Sequence, residues 1–414
     1  MPDRRYSILQ HESGLRVVHL RTPGSRLVHA GFMIDTGSCH DGEHPGLAHA
    51  LEHMMFKGTH RRKAFHVISS LEVVGGELNA YTTKDMTAVY ASTEGRHLQK
   101  AVDVLSDIVF NSSLPENELS KEKKVITDEI NMYLDSPEEN IYDEFQEKVF
   151  GEHPLGHNIL GTRESVERIS SQDLKNFVGQ HYHIENMVFS VVGNVSEARV
   201  LQALDKYLKR YPLRKGSYKP EPSLPFTDYK PFQERQESDF TQAYAIIGSP
   251  AYGETHPNRY SLLLLNNLLG GPGMNSRLNL AIREKHGYTY HVESGYQSFK
   301  QDGLFHCYFS CELKYLEKSL ALMFKEWKRL QDEPLGARQL SQAKNQYIGQ
   351  MVMSNENGNA LMLHLGKGVL RHGSATTLHQ AIERIKAVQA DDIMAVAQEL
   401  LQPERQSQLL YIPN

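Results

Sequence analysis

The chain has 414 residues, 40% of them hydrophobic and 23% charged, with a formal net charge of −5. That length is more than one ordinary core fills, so two or more domains are expected, in a composition ordinary for a soluble globular protein. A nucleic-acid surface is excluded, because Arg61-Arg62-Lys63 is too short a basic run and reads as a solvated loop; a membrane span is excluded because no window approaches about 18 apolar residues.

In chain order, MPDRRYSILQHESGLRVV has neither the apolar region of a signal peptide nor the Arg- and Ser-rich character of a transit peptide. Leu15 to Leu20 and Arg26 to Ile34 predict strands, rich in β-branched and apolar residues. Thr36-Gly37-Ser38 and Asp41-Gly42 break the second strand. Pro45 to Thr59 predicts a mostly buried helix, opened by a proline whose missing N–H costs nothing in the first turn. Phe65 to Val74 predicts a second helix, closed by Gly75-Gly76. Strands follow at Leu78 to Thr82 and Thr87 to Ser92, then helices at His97 to Phe110, Pro115 to Leu134, Glu138 to Phe150 and Arg163 to Gly179. Met187 to Val192 is an apolar strand and Ser196 to Leu208 a helix. Arg210 to Phe232 holds five prolines among polar residues and reads as a linker. Three cysteines, Cys39, Cys307 and Cys311, are too few and too odd for a disulfide framework, which fits a reducing, cytoplasmic location.

The second half repeats the first. Val28 to Ile34 is echoed by Ala243 to Ile247, His44-Pro45 by His256-Pro257, Asp85 by Asp302, Glu118-Leu119-Ser120 by Gln339-Leu340-Ser341 and Glu167-Arg168-Ile169 by Glu383-Arg384-Ile385. From the dipeptide onward the offsets are 212, 217, 221 and 216. The expected fold class is α+β: two repeated domains, each a mostly antiparallel β-sheet with helices packed on one face. The expected boundaries are 1–212, a linker over 213–232 and a second domain over 233–414.

Within the Pro45 to Thr59 helix, His49, Glu52 and His53 form H-x-x-E-H. Residues four apart share a helix face, so two imidazoles can aim at one point. Two neutral imidazoles suit zinc, and a catalytic zinc takes three protein ligands and a water. Glu52 is then placed to take the proton from that water. The bland alternative is a helix with hydrogen-bonded core or surface histidines, but polar groups in an apolar helix are costly unless paired. The repeat supplies a control: His49, Glu52 and His53 fall on Ser261, Leu264 and Leu265. A fold that needed the histidines would carry them twice.

For a third ligand the candidates are Glu129 and Glu122, two turns apart on one face of a helix. Glu129, among Ile126, Ile130 and Met132, is expected to be partly buried; Glu122, among Lys121, Lys123 and Lys124, is expected near the surface and is open to reading as a solvated charge. They fall on Gln350 and Ala343 in the repeat.

HPGLAHALEHMMFKGT, followed at the right distance by Glu129 in VITDEINM, resembles the inverzincin zinc metallopeptidases, the pitrilysin, insulin-degrading-enzyme and processing-peptidase family. GGELNAYTTKDMTAVYAS and SRLNLAIREKHGYTYHVESGY are similar to further segments of that family, so the resemblance spans the chain. It implies a Zn2+-dependent endopeptidase acting on peptides or unfolded polypeptide in an enclosed chamber. It implies His49, His53 and Glu129 as zinc ligands, Glu52 as base and Glu122 as an acidic residue supporting the site. It also implies Asn79 and Ala80 on an edge strand that pairs with substrate, and Arg283 and Tyr290 as a pair that steadies the scissile carbonyl. Short relatives pair two chains, so a homodimer is implied, each zinc domain facing its partner's Arg283 and Tyr290, with no nucleic-acid or membrane partner. Two alternatives stand beside it. One is a non-catalytic binding or assembly subunit of the same fold. The other is a deaminase or amidohydrolase of unrelated fold, disfavoured by the duplication and by the lack of H-x-E with C-x-x-C.

Overall fold

The computed structural model describes residues 5–216 and 225–414; the first four residues and the 217–224 part of the expected linker lie outside the described residues. The first half runs β1 (Ser7–Gln10), β2 (Arg16–Arg21), β3 (Leu27–Ile34), α1 (Leu47–Met55), α2 (Ala64–Glu72), β4 (Glu77–Thr82), β5 (Thr87–Glu94), α3 (Leu98–Asn111), α4 (Glu116–Asp135), α5 (Pro137–Phe150), α6 (Arg163–Arg168), α7 (Ser171–His181), β6 (Met187–Gly193) and α8 (Glu197–Leu208). The second runs β7 (Gln233–Ser238), β8 (Ala243–Tyr252), α9 (Arg259–Gly270), β9 (Thr289–Ser298), β10 (Asp302–Cys311), α10 (Leu316–Asp332), α11 (Ala337–Asn355), α12 (Gly358–His372), α13 (Leu378–Ala387), α14 (Ala390–Leu400) and β11 (Ser407–Pro413).

The strand orders repeat. One sheet is β1-β2-β6-β3-β5-β4 and the other β7-β11-β8-β10-β9. Each is antiparallel except for one parallel pair in the same place, β2 with β6 and β7 with β11. This is the duplicated α+β architecture that the sequence echoes predict.

Two features differ from expectation. The helix predicted over Arg163 to Gly179 is two helices, because Ser170 stops the first and caps the second. Its hydroxyl accepts from the Asp173 N–H at 3.2 Å, and its own N–H donates to the Asp173 carboxylate at 2.8 Å. The second difference concerns which helices cover which sheet. The chain divides into two compact units that are not contiguous: Met1–Asn131, His157–Glu221 and Val352–Leu378 make one, Met132–Gly156, Pro222–Met351 and His379–Asn414 the other. The expected boundaries run straight along the chain, whereas these units exchange a helix each.

In the first unit, one sheet face packs on the helices of its own half, where Phe32 meets Phe110 of α3 at 5.4 Å and Phe189 of β6 at 4.7 Å between ring centroids. The other face, with Val18, Met33, Val188 and Val192, is covered by Leu361, Met362, Leu365 and Val369 of α12. Gly366 makes that approach possible, because a Cβ there would lie 2.3 Å from the Met33 sulfur. In the second unit, Ala245, Ile247, Phe305, Cys307 and Phe309 face Trp327 and the other helices of their half. The opposite face takes α5, whose Tyr142 packs on Tyr308 at 5.0 Å and donates its hydroxyl to Glu293 at 2.7 Å. So helices of the same half occupy one face of each sheet, as expected, and a helix from the other half covers the second. None of the three cysteines forms a disulfide among the described residues, Cys307 and Cys311 being buried and Cys39 half-buried. No helix among the described residues is long and apolar enough to cross a membrane.

Candidate metal centre

The helix α1 is set in place before any chemistry begins. Gly46 precedes it with φ 93°, a left-handed conformation that favours glycine. A Cβ there would also meet the Leu160 carbonyl oxygen at 2.5 Å. Asp41, only 3% exposed, reaches forward to the first turn, its two carboxylate oxygens accepting from the Gly46 and Ala48 N–H groups at 2.8 Å each. These satisfy donors that a helix start leaves without partners. Burial pushes the Asp41 carboxyl up to about 7, against the backbone hydrogen bonds that favour its charge. Leu47, Ala48, Leu51, Met54 and Met55 bury the rest of the helix.

On this helix His49 and His53 lie with ring centroids 4.7 Å apart. The helix α4 brings Glu129 to them, its Oε2 3.4 Å from His53 Nε2 and 3.8 Å from His49 Nε2. One ligand atom from each of the three residues falls within 4.8 Å of the others, the only such group among the described residues. The donor set fits zinc: two imidazole nitrogens and a carboxylate oxygen from three residues, leaving a fourth position for water or substrate. His49 is pushed down to about 4 by burial and by the neighbouring His53, so at neutral pH it is the uncharged imidazole a metal requires. Burial pulls His53 down too, but its bonds to Glu129 and Glu122 outweigh that and raise it. Glu129 is held low by its bond to His53.

Glu52 stands beside this group. Burial raises its pKa, and Thr82 on β4 donates a hydroxyl to its Oε2 at 2.6 Å. Glu122 departs from expectation. It is 5% exposed, because it lies on the face of α4 that buries Leu119, Ile126 and Ile130, while Lys121 and Lys124 point outward. Its Oε2 lies 3.2 Å from His53 Nδ1, and its Oε1 accepts from Lys57 Nζ at 2.7 Å. Asn79 and Ala80 lie on β4, which pairs with β5 alone and forms the sheet's edge. Arg283 and Tyr290 belong to the second unit. Arg283 sits on a π-helical turn, Asn279–Glu284, with its guanidinium carbon 5.2 Å from the Tyr290 ring centre. Tyr290 is 85% exposed. The pair lines a cavity of about 600 Å³ together with Asn266, Asn267, Tyr347 and Gln350.

Sequence reasoning passed over Asp41, Lys57 and Thr82. Lys57 had a signal, since it follows His53 by four residues. Thr82 had one too, being on the strand already singled out.

Residues 16–163 match the family described as insulinase (peptidase family M16), and residues 168–347 match the M16 inactive domain. A Bacillus subtilis protein named uncharacterized zinc protease YmxG is 32% identical over 393 residues, 94% of each chain. A Streptomyces coelicolor protein, also named an uncharacterized zinc protease, is 31% identical, over 94% of this chain and 85% of its own. Among solved structures, a Helicobacter pylori protease superposes with TM-score 0.91 at 19% identity over 99% of this chain and 100% of its own. A Pseudomonas fluorescens structure described as a peptidase M16 inactive domain gives 0.90 at 19% identity, covering 99% of this chain and 98% of its own. A duplicated fold, a His-His-Glu cluster able to hold a metal in its first copy and a family match along most of its length place this chain in peptidase family M16.

Proposed function

We propose that this chain is a zinc endopeptidase hydrolysing peptides or unfolded polypeptide segments. The observation that carries the proposal is the convergence of His49, His53 and Glu129 beside the buried carboxylate of Glu52. Zinc held by those three residues supplies a Lewis acid and lowers the pKa of water at the site. Glu52 accepts the proton of the attacking water and passes it to the leaving amine, a role its raised pKa suits. Thr82 holds one oxygen of Glu52 and leaves the other for water. The free edge of β4 at Asn79 and Ala80 takes an extended peptide through main-chain hydrogen bonds, reading backbone before side chains. The Tyr290 hydroxyl, with Arg283 beside it, steadies the developing oxyanion. In a two-fold homodimer enclosing a chamber, that pair comes from the partner chain. The sparse cysteines, none in a disulfide among the described residues, support a cytoplasmic location.

A non-catalytic binding subunit is the second reading, favoured by the inactive-domain description of residues 168–347. That segment holds Ser261, Leu264 and Leu265, the repeat positions of His49, Glu52 and His53, so the wording suits the second copy and leaves the first untouched.

Metal analysis combined with cleavage of an unstructured peptide, run beside Glu52→Gln, tests the proposal. The variant keeps shape and metal but loses the base, and a fall of about a hundredfold or more in kcat is expected. Cleavage at the wild-type rate by Glu52→Gln would remove Glu52 from the chemistry; no cleavage by the zinc-loaded wild type would favour the binding subunit.

A further inference from the structure

We propose that Lys57 is a positioning residue for the metal centre, acting on His53 through Glu122. The inference deepens the zinc-peptidase reading and rests on its ligand set. Lys57 Nζ holds Glu122 Oε1 at 2.7 Å, and Glu122 Oε2 lies 3.2 Å from His53 Nδ1. A carboxylate only accepts, so Nδ1 carries a proton toward Glu122, which leaves Nε2 as the nitrogen for a metal at the cluster. Glu122 has only 6% of its side chain exposed, and a buried carboxylate with one oxygen unpartnered is unstable in that orientation. With Lys57 on Oε1, only Oε2 is left for His53. Without it, either oxygen can turn to His53 or toward the cluster itself.

The delivery of Lys57 is built into the fold. The segment that follows it is tied to α3 through Asp107, which is 0% exposed. Thr59 Oγ1 donates to Asp107 at 2.8 Å, Arg62 bonds both Asp107 and Asp103, and the Thr59 N–H donates to the Arg62 carbonyl at 2.8 Å. Gly58 adopts φ +119° to make the turn. The charge also closes. Among the described residues, Lys57 is the one Lys or Arg paired with any of Glu52, Glu122 and Glu129. With a divalent ion at the cluster, its charge balances the three carboxylates.

The second copy gives an independent observation. At the offsets of the repeat, Lys57 falls on Leu269, Glu122 on Ala343 and the turn glycine Gly58 on Gly270. Leu269 is 0% exposed and Ala343 5% exposed. Where the ligands are absent, both members of the pair are absent and the glycine stays. A pair that served only to hold helix to helix would have no reason to follow the ligands.

The test uses the full-length protein with Lys57→Met, Lys57→Arg and Lys57→Gln, each also made in a Glu122→Gln background. Zinc affinity is read by chelator competition, and the His53 Nδ1–H hydrogen bond to Glu122 by ring NMR shifts in the metal-free protein. K57M is expected to weaken zinc binding about tenfold to a hundredfold, the usual effect of losing a group that orients a ligand. It is also expected to lose the single, well-ordered Nδ1–H hydrogen bond to Glu122. K57R should recover most of both, and K57M should add nothing once Glu122 is Gln. Wild-type affinity and a wild-type Nδ1–H hydrogen bond in K57M, or effects that simply add in the double variant, would overturn the proposal. If K57M does not fold, K57Q keeps a donor without charge and is judged by the same two readings. A wild type that binds no zinc would sink the zinc reading, while the Nδ1–H hydrogen bond of the metal-free protein would still decide the role of Lys57.

Discussion

The helices α1 and α4 of the first half and their repeat counterparts α9 and α11 carry different residues at matching positions. The first pair brings His49, His53 and Glu129 together beside Glu52, whereas the repeat offsets place Ser261, Leu264, Leu265 and Gln350 on the second. Leu264 and Leu265 are 0% exposed and join the main core of their unit. The differences extend outward together. Lys57 and Glu122 become Leu269 and Ala343, and the capping Asp41 falls on Gly253. The second copy shows that this architecture stands without the polar cluster, so the first copy holds a costly group of buried charges for a reason other than folding.

The most severe way to break the comparison is to write the second copy's residues into the first. The variant H49S/E52L/H53L/E129Q is expected to lose all peptidase activity and all stoichiometric zinc. It should keep its far-UV circular dichroism. Its unfolding free energy should move by no more than about 2 kcal/mol, since E52L, H53L and E129Q roughly conserve volume and removing buried charges returns some stability, offsetting the cavity left by H49S. Collapse of the fold in this variant would show that the histidines are structural after all.

A smaller effect is expected at Asp41, the cap that the second copy lacks. Asn accepts through one oxygen only, so Asp41→Asn leaves an N–H of Gly46 or Ala48 without its partner, at a cost of about 1–3 kcal/mol. The pH dependence has a definite sign. Burial raises this carboxyl to about 7 in the folded protein, against about 3.9 unfolded. Its contribution to stability is therefore complete below the unfolded value and is lost as pH rises towards 7, because the unfolded chain gives up the proton first. Urea melts at pH 5 and pH 8 should show wild type losing more stability across that window than D41N; equal losses would mean Asp41 is already ionised at pH 5.

How much of this was legible beforehand follows from what kind of signal each feature leaves. The duplication was legible because His44-Pro45 and His256-Pro257 open equivalent helices, α1 and α9, at a near-constant offset. The ligand cluster was legible because helix periodicity alone brings His49 and His53 together. The exchange of α5 and α12 was not. An amphipathic pattern shows that a helix buries a face, not which sheet receives it. The hint lay in β6, whose run Met187 to Val192 is buried on both sides, as only a sheet covered on both faces allows. Glu122 was misplaced for a related reason: its lysine neighbours in sequence lie on other faces of the helix, whereas Leu119, Ile126 and Ile130 share its own. Lys57 and Thr82 lay on segments already singled out, but their partners Glu122 and Glu52 are on other elements, while Asp41 acts locally on the Gly46 and Ala48 N–H groups.

The smallest structural effect is expected where the second copy has something the first does not. Tyr290 is 85% exposed, and its ring stays available to Arg283 when the hydroxyl is removed. Tyr290→Phe should therefore leave stability within about 0.5 kcal/mol of wild type, as surface changes do, so any lost turnover belongs to the hydroxyl. The division of labour between the copies can then be tested by mixing. If Tyr290 serves the zinc domain of a partner chain, Tyr290→Phe and Glu52→Gln proteins, each nearly inactive alone, regain activity on exchanging subunits. The mixed dimer has one site with both Glu52 and Tyr290 and one with neither. Random exchange makes half the dimers mixed, each with one whole site of two, so about a quarter of wild-type activity is expected for a two-fold assembly. Exchange is followed separately with a size-tagged subunit. Exchange without recovery would mean that Glu52 and Tyr290 of one chain serve the same site, since neither site of the mixed dimer would then be whole. A single-chain species in sedimentation at working concentration would remove the homodimer itself.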